Sequence, residues 1–188
     1  MCGIIGIVGK APVQERLIET LRRLEYRGYD SAGVALVADG RIDRRRARGK
    51  IRALEDALRE APLDGLTGVG HTRWATHGAP SETNAHPHRA GRVTLVHNGI
   101  IENFAELKAE RAAAGRTFES ETDSEVIPHL IDRELSRGAS PIDALKATLD
   151  RLRGAIALAV LVEGEDEHIL GARRGSPLVV GYGDGEMY

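Results

Sequence analysis

Three amphipathic helix patterns follow one another in the second half of the chain, and this order constrains the fold more than any other feature. The sequence predicts helices over 103–114, over 123–137 and over the stretch "SPIDALKATLDRLRG" that begins at Ser140. Each pattern stops at a glycine, which is a common helix end. Strands are predicted before and after this block rather than between its helices. Because strand and helix do not alternate strictly, an α+β fold with antiparallel sheets is favoured over a doubly wound parallel sheet.

Strand patterns occupy both ends of the chain. "GIIGIV" at 3–8 is short, apolar and bounded by glycine, which is typical of a buried strand. Asp39-Gly40 predicts the turn of a hairpin. "TGVGHTRWA" and "RVTLVHNG" are predicted as strands that end in polar loops. Three more strands are expected near the end of the chain, at 155–162, 167–172 and 177–182.

Two helices are predicted in the first third of the chain. "PVQERLIETLRRLE" at 12–25 has an apolar face, and Pro12 suits its first helical position. The spacing of Ile51, Leu54 and Leu58 predicts a short second helix. Pro128 falls inside the helix expected over 123–137, near its first turn, where a kink is the alternative outcome.

Composition and charge exclude several classes of function. A chain of 188 residues with 41% hydrophobic and 29% charged residues is typical of one globular domain. The net charge of −2 gives no electrostatic reason to expect nucleic acid or an anionic membrane as a partner. "RRRAR" at 44–48 is interpreted as a solvated strand, with a phosphate-binding patch as the alternative. The start lacks a secretory leader, so we expect a cytoplasmic protein.

The sole cysteine, Cys2, stands next to the initiating methionine. A free thiol is mostly protonated at neutral pH and needs a base to become a nucleophile. If Met1 is removed, the α-amine of Cys2 is such a base on the same residue. The alternative is that Cys2 is a small buried apolar residue at the head of a strand. A methionine that stays attached would leave an amide nitrogen there, which cannot act as a base.

Histidines are concentrated in the middle of the chain. Five of the seven fall within one short stretch. A zinc site is one interpretation, but the stretch has no cysteine and no regular ligand spacing. Activation of Cys2 by His71 or His97 is a second interpretation. Loop packing around a site is the third, and we favour it. The five positions are His71, His77, His86, His88 and His97.

Five motifs in one order resemble the N-terminal glutaminase domain of the glutamine–fructose-6-phosphate aminotransferase family. They are "CGIIGIVG" from Cys2, "RLEYRGYDSAG" at 23–33, "GHTRWATHG" at 70–78, "HNGIIEN" at 97–103 and "TDSEVI" at 122–127. "GARRGSPLVVG" at 171–181 is also similar to that family. The opening motif alone is shared by all class II glutamine amidotransferases, which are N-terminal-nucleophile hydrolases.

The resemblance implies a four-layer αββα sandwich of two antiparallel sheets. It implies that residues 1–188 are a glutaminase domain, truncated at its C-terminus, of a longer enzyme whose sugar-isomerase domains are absent here. The implied reaction is hydrolysis of L-glutamine through a Cys2 thioester, with the ammonia passing to fructose 6-phosphate to form glucosamine 6-phosphate. The implied full-length enzyme is a homodimer in the cytoplasm, with no metal or other cofactor and no nucleic-acid or membrane partner.

The resemblance also assigns roles to single residues. Arg73 would bind the α-carboxylate of glutamine, a role that suits a planar bidentate donor. Asp123 would bind the α-ammonium. The Asn98 side chain and the Gly99 N–H would stabilise the oxyanion formed when the amide is attacked. The loop that covers glutamine would contribute Trp74, Thr76 and His77, with Gly78 as a hinge.

Each of these residues has a simpler interpretation. Arg73 can be a surface arginine at a strand end, and Trp74 a core anchor. Asp123 can be an acid favoured at a helix N-terminus. Asn98-Gly99 is the strongest short signal for a hairpin turn.

Two rival functions remain open from the sequence. One is another class II amidotransferase, of the phosphoribosyl-pyrophosphate or asparagine-forming type, which shares Cys2 and an arginine–asparagine–glycine–aspartate site. The other is a module that binds glutamine without turnover, which an intact Cys2 argues against. "RLEYRGYDSAG" together with "HTRWATHG" favours the aminotransferase resemblance.

Overall fold

A computed structural model of the protein describes residues 2–188, and Met1, whose removal the nucleophile hypothesis requires, lies outside this range. The described residues form strands and helices in the predicted block order. The strands are β1 (Gly3–Val8), β2 (Ser31–Ala38), β3 (Arg41–Arg48), β4 (Thr67–Arg73), β5 (His88–Ala90), β6 (Val93–His97), β7 (Ile100–Ile101), β8 (Gly154–Val162) and β9 (Leu170–Arg174). The helices are α1 (Gln14–Leu24), α2 (Ile51–Glu60), α3 (Phe104–Ala113), α4 (Val126–Ser136) and α5 (Pro141–Arg151), with a 3-10 turn at Glu25–Arg27.

The strands form two antiparallel sheets. The first has the order β1-β4-β2-β3, and the second has the order β5-β6-β8-β7, with β9 paired to the other edge of β8. β8 is therefore the central strand of the second sheet. This arrangement confirms the predicted α+β class with antiparallel sheets.

Alternation along the strands explains why two sheets stack between two helix layers. In β2, Val34 and Leu36 pack against α1 and α2, while Ala35 and Val37 face the other sheet. The same alternation in β8 directs Leu158 toward α3–α5 and Ala159 toward the first sheet. β2 and β8 are apolar on both faces, as expected for strands that are covered on both sides. The result is the four-layer αββα sandwich that the resemblance implied.

Local signals are confirmed at several element ends. Asp39 and Gly40 have φ values of 51° and 76° at the β2–β3 turn, as a two-residue hairpin of this hand requires. The Ser140 side chain accepts a hydrogen bond from the Asp143 N–H at the start of α5. Pro128 lies in the first turn of α4, where it costs no helical hydrogen bond.

Two expectations about element bounds are wrong. Pro12 is not in α1, which begins at Gln14 after Val13 as its N-cap residue. The Val13 N–H donates to the Gly65 carbonyl at 3.0 Å, and this contact keeps the preceding residues out of the helix. The strand expected over 177–182 is absent from the described residues, which have only isolated bridges there. Proline at 177 and glycine at 181 weaken a ladder at this point.

The arginine-rich strand β3 is partly buried rather than solvated. Arg44 donates to the Pro87 carbonyl at 3.2 Å, and Arg45 to the Ala61 carbonyl at 3.0 Å. Arg46 donates to the Thr83 carbonyl at 3.1 Å. These guanidinium groups hold the neighbouring loops to the sheet, which leaves less reason to expect a phosphate patch.

No helix among residues 2–188 combines the length and the apolar character needed to cross a bilayer. The longest helices have 11 residues, whereas a span needs about 20.

Candidate active site

Seven of the eight residues predicted for the site line one narrow cavity. They are Cys2, Arg73, Trp74, Thr76, His77, Gly99 and Asp123. The eighth, Asn98, precedes Gly99 but is not part of the cavity lining. The cavity volume is about 20 Å³, which is room for about one water molecule. A larger ligand can enter only if part of the cavity wall moves.

The cavity also contains four residues that the sequence analysis did not assign to a substrate role. They are His86, His97, Thr122 and Ser124. Three of them, His97, Thr122 and Ser124, belong to the same motifs as the assigned residues, whereas His86 lies outside every motif. Sequence spacing does not tell which motif members point inward.

Sheet register brings the distant motifs together. β1 and β4 are antiparallel, and Gly3 pairs with Thr72. Cys2, just before β1, therefore lies beside Arg73, the last residue of β4. β6 of the facing sheet ends at His97, so that Asn98 and Gly99 follow at the same end of the sandwich.

The Cys2 thiol lies against the Trp74 backbone. The Trp74 N–H donates to Sγ at 3.4 Å, and Sγ lies 3.8 Å from the Trp74 carbonyl oxygen. Arg27 Nε donates to the Cys2 carbonyl at 3.2 Å. Burial raises the pKa of the Cys2 thiol, and the nearby Asp30 carboxylate acts in the same direction. The thiol is therefore protonated at neutral pH and needs a base for nucleophilic attack.

Arg73 is buried and holds the loop that follows it. Its Nη2 donates to the carbonyls of His77 at 2.5 Å and Gly78 at 2.9 Å, and Nη1 donates to the Ala79 carbonyl at 3.4 Å. The guanidinium is only 4% exposed. Arg73 is therefore not a surface arginine, and its donors face the loop carbonyls in this structure.

Trp74 lies at the mouth of the cavity instead of in the core. It is 48% exposed, and its ring meets the Tyr29 ring edge-on at a centroid distance of 5.5 Å. His77 also lines the cavity, and its Nδ1 is 4.0 Å from Asp123 Oδ1. The interpretation of Trp74 as a core anchor is wrong.

Asn98-Gly99 is not a hairpin turn. β6 and β7 pair with β8 in one continuous register, in which Val93 faces Val162 and Ile101 faces Gly154. The chain therefore runs straight on through Asn98 and Gly99. Asn98 keeps both backbone hydrogen bonds to Ala157, at 2.9 and 3.0 Å.

Gly99 interrupts this ladder by its backbone conformation. Its φ is +156°, and a Cβ at this position would lie 1.9 Å from the Ala155 carbonyl oxygen. Within residues 2–188 the Gly99 N–H has no hydrogen-bond acceptor. Because Gly99 lines the cavity, this N–H is available to a bound oxygen atom.

Asp123 is held by a strand and not by the helix that follows. Its Oδ2 accepts a hydrogen bond from the Ile101 N–H at 2.7 Å, and Ser124 Oγ donates to Oδ1 at 3.3 Å. α4 begins only at Val126. The hydrogen bonds therefore do not support the interpretation of Asp123 as a helix N-terminal acid.

Glu125 organises the loop that presents Asp123. Its carboxylate accepts from the Glu119 N–H at 2.7 Å, and from the Ser120 N–H and hydroxyl at 2.6 Å each. Burial opposes ionisation, but the nearby His129 ring, 3.8 Å away, and the hydrogen bonds from Ser120 and Glu119 prevail and lower the pKa of Glu125 to about 2. The loop is thus built around a buried, ionised carboxylate.

Comparisons with known proteins place the chain in a family. A family model described as "Glutamine amidotransferase domain" matches residues 71–188, which is more than half of the chain. The chain belongs to the glutamine amidotransferase family. The matched part of this amidotransferase contains every candidate site residue except Cys2.

Curated relatives carry a more specific name. Glutamine–fructose-6-phosphate aminotransferase [isomerizing] from Caulobacter vibrioides is 72% identical over 188 residues, which is 100% of this chain and 31% of that protein. The protein of the same name from Brucella suis is 60% identical over the same shares. The amidotransferase chain thus spans about a third of the length of the curated relatives it matches.

Solved structures extend the likeness to the fold. The glutamine phosphoribosylpyrophosphate amidotransferase from B. subtilis has a TM-score of 0.84 at 26% identity, covering 100% of this chain and 41% of that one. A glutamine aminotransferase class-II domain protein from Silicibacter pomeroyi has a TM-score of 0.59 at 20% identity, covering 94% and 79%. The second likeness concerns the fold alone.

The amidotransferase buries a cluster of histidines at its cavity. The rings of His71 and His86 stack at 4.0 Å, and His88 meets His86 edge-on at 4.3 Å. His71 Nε2 lies 3.0 Å from the His97 carbonyl oxygen, and His88 Nε2 lies 2.9 Å from Thr122 Oγ1. The cluster thus packs the loops together, as favoured from the sequence.

The alternative roles of these histidines find no support in their contacts. The hydrogen bonds of His71 and His97 go to partners other than Cys2, whose thiol lies against the Trp74 backbone. Among residues 2–188, no three potential metal ligands lie close enough together to hold an ion.

We expect the protein to lose stability as the pH falls from 6.5 toward 5. Burial lowers the pKa of His71 to about 3, and burial also lowers the pKa values of His86, His88 and His97. These rings are neutral when folded but protonate near pH 6.5 when unfolded, so the unfolded state binds more protons below that pH. Each can contribute up to about 1.4 kcal/mol per pH unit.

Urea unfolding between pH 7.5 and 5.0 measures this effect. His88→Gln keeps a polar atom for Thr122 and should flatten the pH dependence. The exposed His168 provides the matched control, since His168→Gln should leave the wild-type slope. A free energy of unfolding that stays constant between pH 6.5 and 5 would contradict the prediction.

Proposed function

We propose that the chain hydrolyses the side-chain amide of L-glutamine through a thioester on Cys2. The observation that carries this proposal is the meeting of four groups at one cavity. A thiol, a buried guanidinium, a buried carboxylate and an N–H without an acceptor come from Cys2, Arg73, Asp123 and Gly99. Glutamine needs a counter-group for its carboxylate, its ammonium and its developing oxyanion, and these groups supply all three.

The reaction proceeds in two steps. Cys2 Sγ attacks the amide carbon while its proton passes to the α-amine that removal of Met1 exposes. The carbon–nitrogen bond of the amide breaks, and the amide nitrogen takes up the proton held by the α-amine. Ammonia is released, and a thioester remains on Cys2. Water then cleaves the thioester, which releases glutamate and restores the thiol. Because burial raises the pKa of the thiol, a base beside the sulfur is essential to the first step.

Each candidate residue has one role in this reaction. The Gly99 N–H and the Asn98 side-chain amide stabilise the oxyanion. Arg73 binds the α-carboxylate and Asp123 the α-ammonium. Trp74, Thr76 and His77 cover the bound glutamine. In the structure Arg73 donates to the carbonyls of His77 and Gly78, and the cavity has only about 20 Å³. When glutamine enters, its carboxylate replaces these carbonyls as the partner of Arg73, and the loop is displaced.

We further propose that residues 1–188 act as the glutaminase domain of a longer, cytoplasmic, homodimeric protein. In that protein, sugar-isomerase domains use the ammonia to convert fructose 6-phosphate to glucosamine 6-phosphate. The support is the name shared by relatives at 72% and 60% identity, of which this chain covers 31%. A phosphoribosyl-pyrophosphate-type acceptor is less well supported, because that structural neighbour is 26% identical.

Kinetics of two variants test the proposed roles. Arg73→Ala should raise KM for glutamine by about 10- to 100-fold, because a charged hydrogen-bond donor is lost. Asn98→Ala should lower kcat by about 100-fold with little change in KM, because it removes an oxyanion donor. Glutamate release measures both, and Arg41→Ala, an exposed arginine in β3, is the control. The opposite pattern in the two variants would refute the role assignment.

A further inference from the structure

Asp30 lies beside the candidate site without lining its cavity. It stands in the turn between the 3-10 turn at Glu25–Arg27 and strand β2. One carboxylate oxygen accepts a hydrogen bond from the Ala75 N–H. The other accepts from Ser31 Oγ at 2.8 Å and lies 3.6 Å from Arg73 Nη1. The carboxylate thus contacts both Arg73 and the loop that follows it.

One peptide unit links Asp30 to the nucleophile. The Trp74 carbonyl and the Ala75 N–H belong to the same planar peptide group. The N–H end of this group is held by Asp30, and the carbonyl end lies 3.8 Å from Cys2 Sγ. A change in the carboxylate of Asp30 therefore reorients the peptide against which the thiol rests.

The turn around Asp30 is packed closely enough to transmit such a change. The Asp30 N–H donates to the Arg73 carbonyl at 3.3 Å, and the Gly49 N–H donates to the Asp30 carbonyl at 2.8 Å. A Cβ on Gly28 would lie 2.5 Å from the Arg73 carbonyl carbon. This turn is therefore in direct contact with the end of β4.

We propose that Asp30 is a positioning residue for the glutaminase reaction, which holds the Arg73 guanidinium and the Trp74–Ala75 peptide in the places where they serve substrate and thiol. The inference rests on the proposed function. Asp30 touches neither the reacting atoms nor the cavity, so it acts through its two neighbours. Its negative charge also contributes to the raised pKa of the Cys2 thiol, after the larger effect of burial.

Two substitutions separate charge from geometry. Asp30→Asn keeps an oxygen for the Ala75 N–H but loses the charge that faces Arg73. Asp30→Ala loses both contacts. Asp43→Asn, at an exposed position of β3, makes the same chemical change away from the site and serves as the control.

Glutamate release should distinguish the variants. We expect Asp30→Asn to raise KM for glutamine by about tenfold with kcat within about threefold of wild type, because Arg73 loses its anionic partner. Asp30→Ala should also lower kcat by about tenfold, because the peptide beside Cys2 is no longer held. Unchanged KM and kcat in Asp30→Asn would overturn the inference, even if Asp30→Ala fails to fold.

Alkylation of Cys2 by iodoacetamide gives a readout that does not depend on turnover. In the absence of glutamine, the pH profile of alkylation should shift to lower pH in Asp30→Asn and remain at the wild-type position in Asp43→Asn. An unshifted profile in Asp30→Asn would overturn the inference. A wild-type protein that is alkylated normally but releases no glutamate would instead overturn the proposed function.

Discussion

Replacing Cys2 with alanine is expected to abolish glutamate release from glutamine, with a loss of at least about 10³-fold in kcat. The cavity offers no second nucleophile of comparable reactivity, because the chain has one cysteine. The substitution removes only a sulfur atom whose contacts are to the Trp74 backbone. Folding and glutamine binding should therefore survive, which calorimetric titration with glutamine measures directly.

Two further measurements make this prediction specific. A glutamine-mimicking electrophile should add one adduct to wild-type protein at Cys2 and none to Cys2→Ala, as seen by mass spectrometry. A second variant carries a bulky residue inserted between Met1 and Cys2, so that the initiating methionine is retained. The electrophile should still alkylate its cysteine, but glutamate release should be nearly lost. The cysteine nitrogen is then part of an amide and cannot take up the thiol proton. Equal rates in wild type and Cys2→Ala would remove Cys2 as the nucleophile.

Replacing Gly99 with alanine is expected to cost at least about 3 kcal/mol of the free energy of unfolding. Its φ of +156° is unfavourable for any residue with a side chain, and the added Cβ would lie 1.9 Å from the Ala155 carbonyl oxygen. Relief of this clash requires the chain to separate from β8. The Gly99 N–H would then leave the cavity, so that turnover should fall in any molecules that remain folded.

Gly164→Ala is the matched control for the cost of placing alanine at a positive φ. Gly164 has a φ of +89°, but nothing lies within 4 Å of an added Cβ. It should cost only about 1 to 2 kcal/mol, and glutamate release should be unchanged. Urea unfolding compares the two variants. Equal losses of stability would mean that the contact with Ala155 is not decisive at position 99.

Local chemistry explains which parts of the fold were predictable. The Asp39-Gly40 turn and the Ser140 cap depend on residues within one turn of the chain, and both are confirmed. The block order of helices and strands was sufficient for the α+β class. Pro12 was misplaced because the bond from Val13 to Gly65 spans about 50 residues and leaves no trace in the local pattern.

The candidate site was predictable as a set of residues but not as a geometry. Motif resemblance named seven residues that line the cavity. It did not indicate that Asn98-Gly99 continues along β8, because that depends on pairing with residues 154–162. The hydrogen-bonded carboxylate of Glu125 and the histidine stack could not be predicted from the sequence either, since each depends on partners from separate parts of the chain.

The sequence by itself determined the types of chemical group in this protein: one thiol at position 2, an arginine, an aspartate and an Asn-Gly pair. Its order of helix and strand patterns favoured antiparallel sheets over a doubly wound sheet. The tertiary structure alone decided where these groups point. It brought Gly99 to the cavity with its N–H unpaired, turned Arg73 toward the loop carbonyls and set Asp30 beside Arg73. Such directions come from strand register and packing, which join residues far apart in the chain.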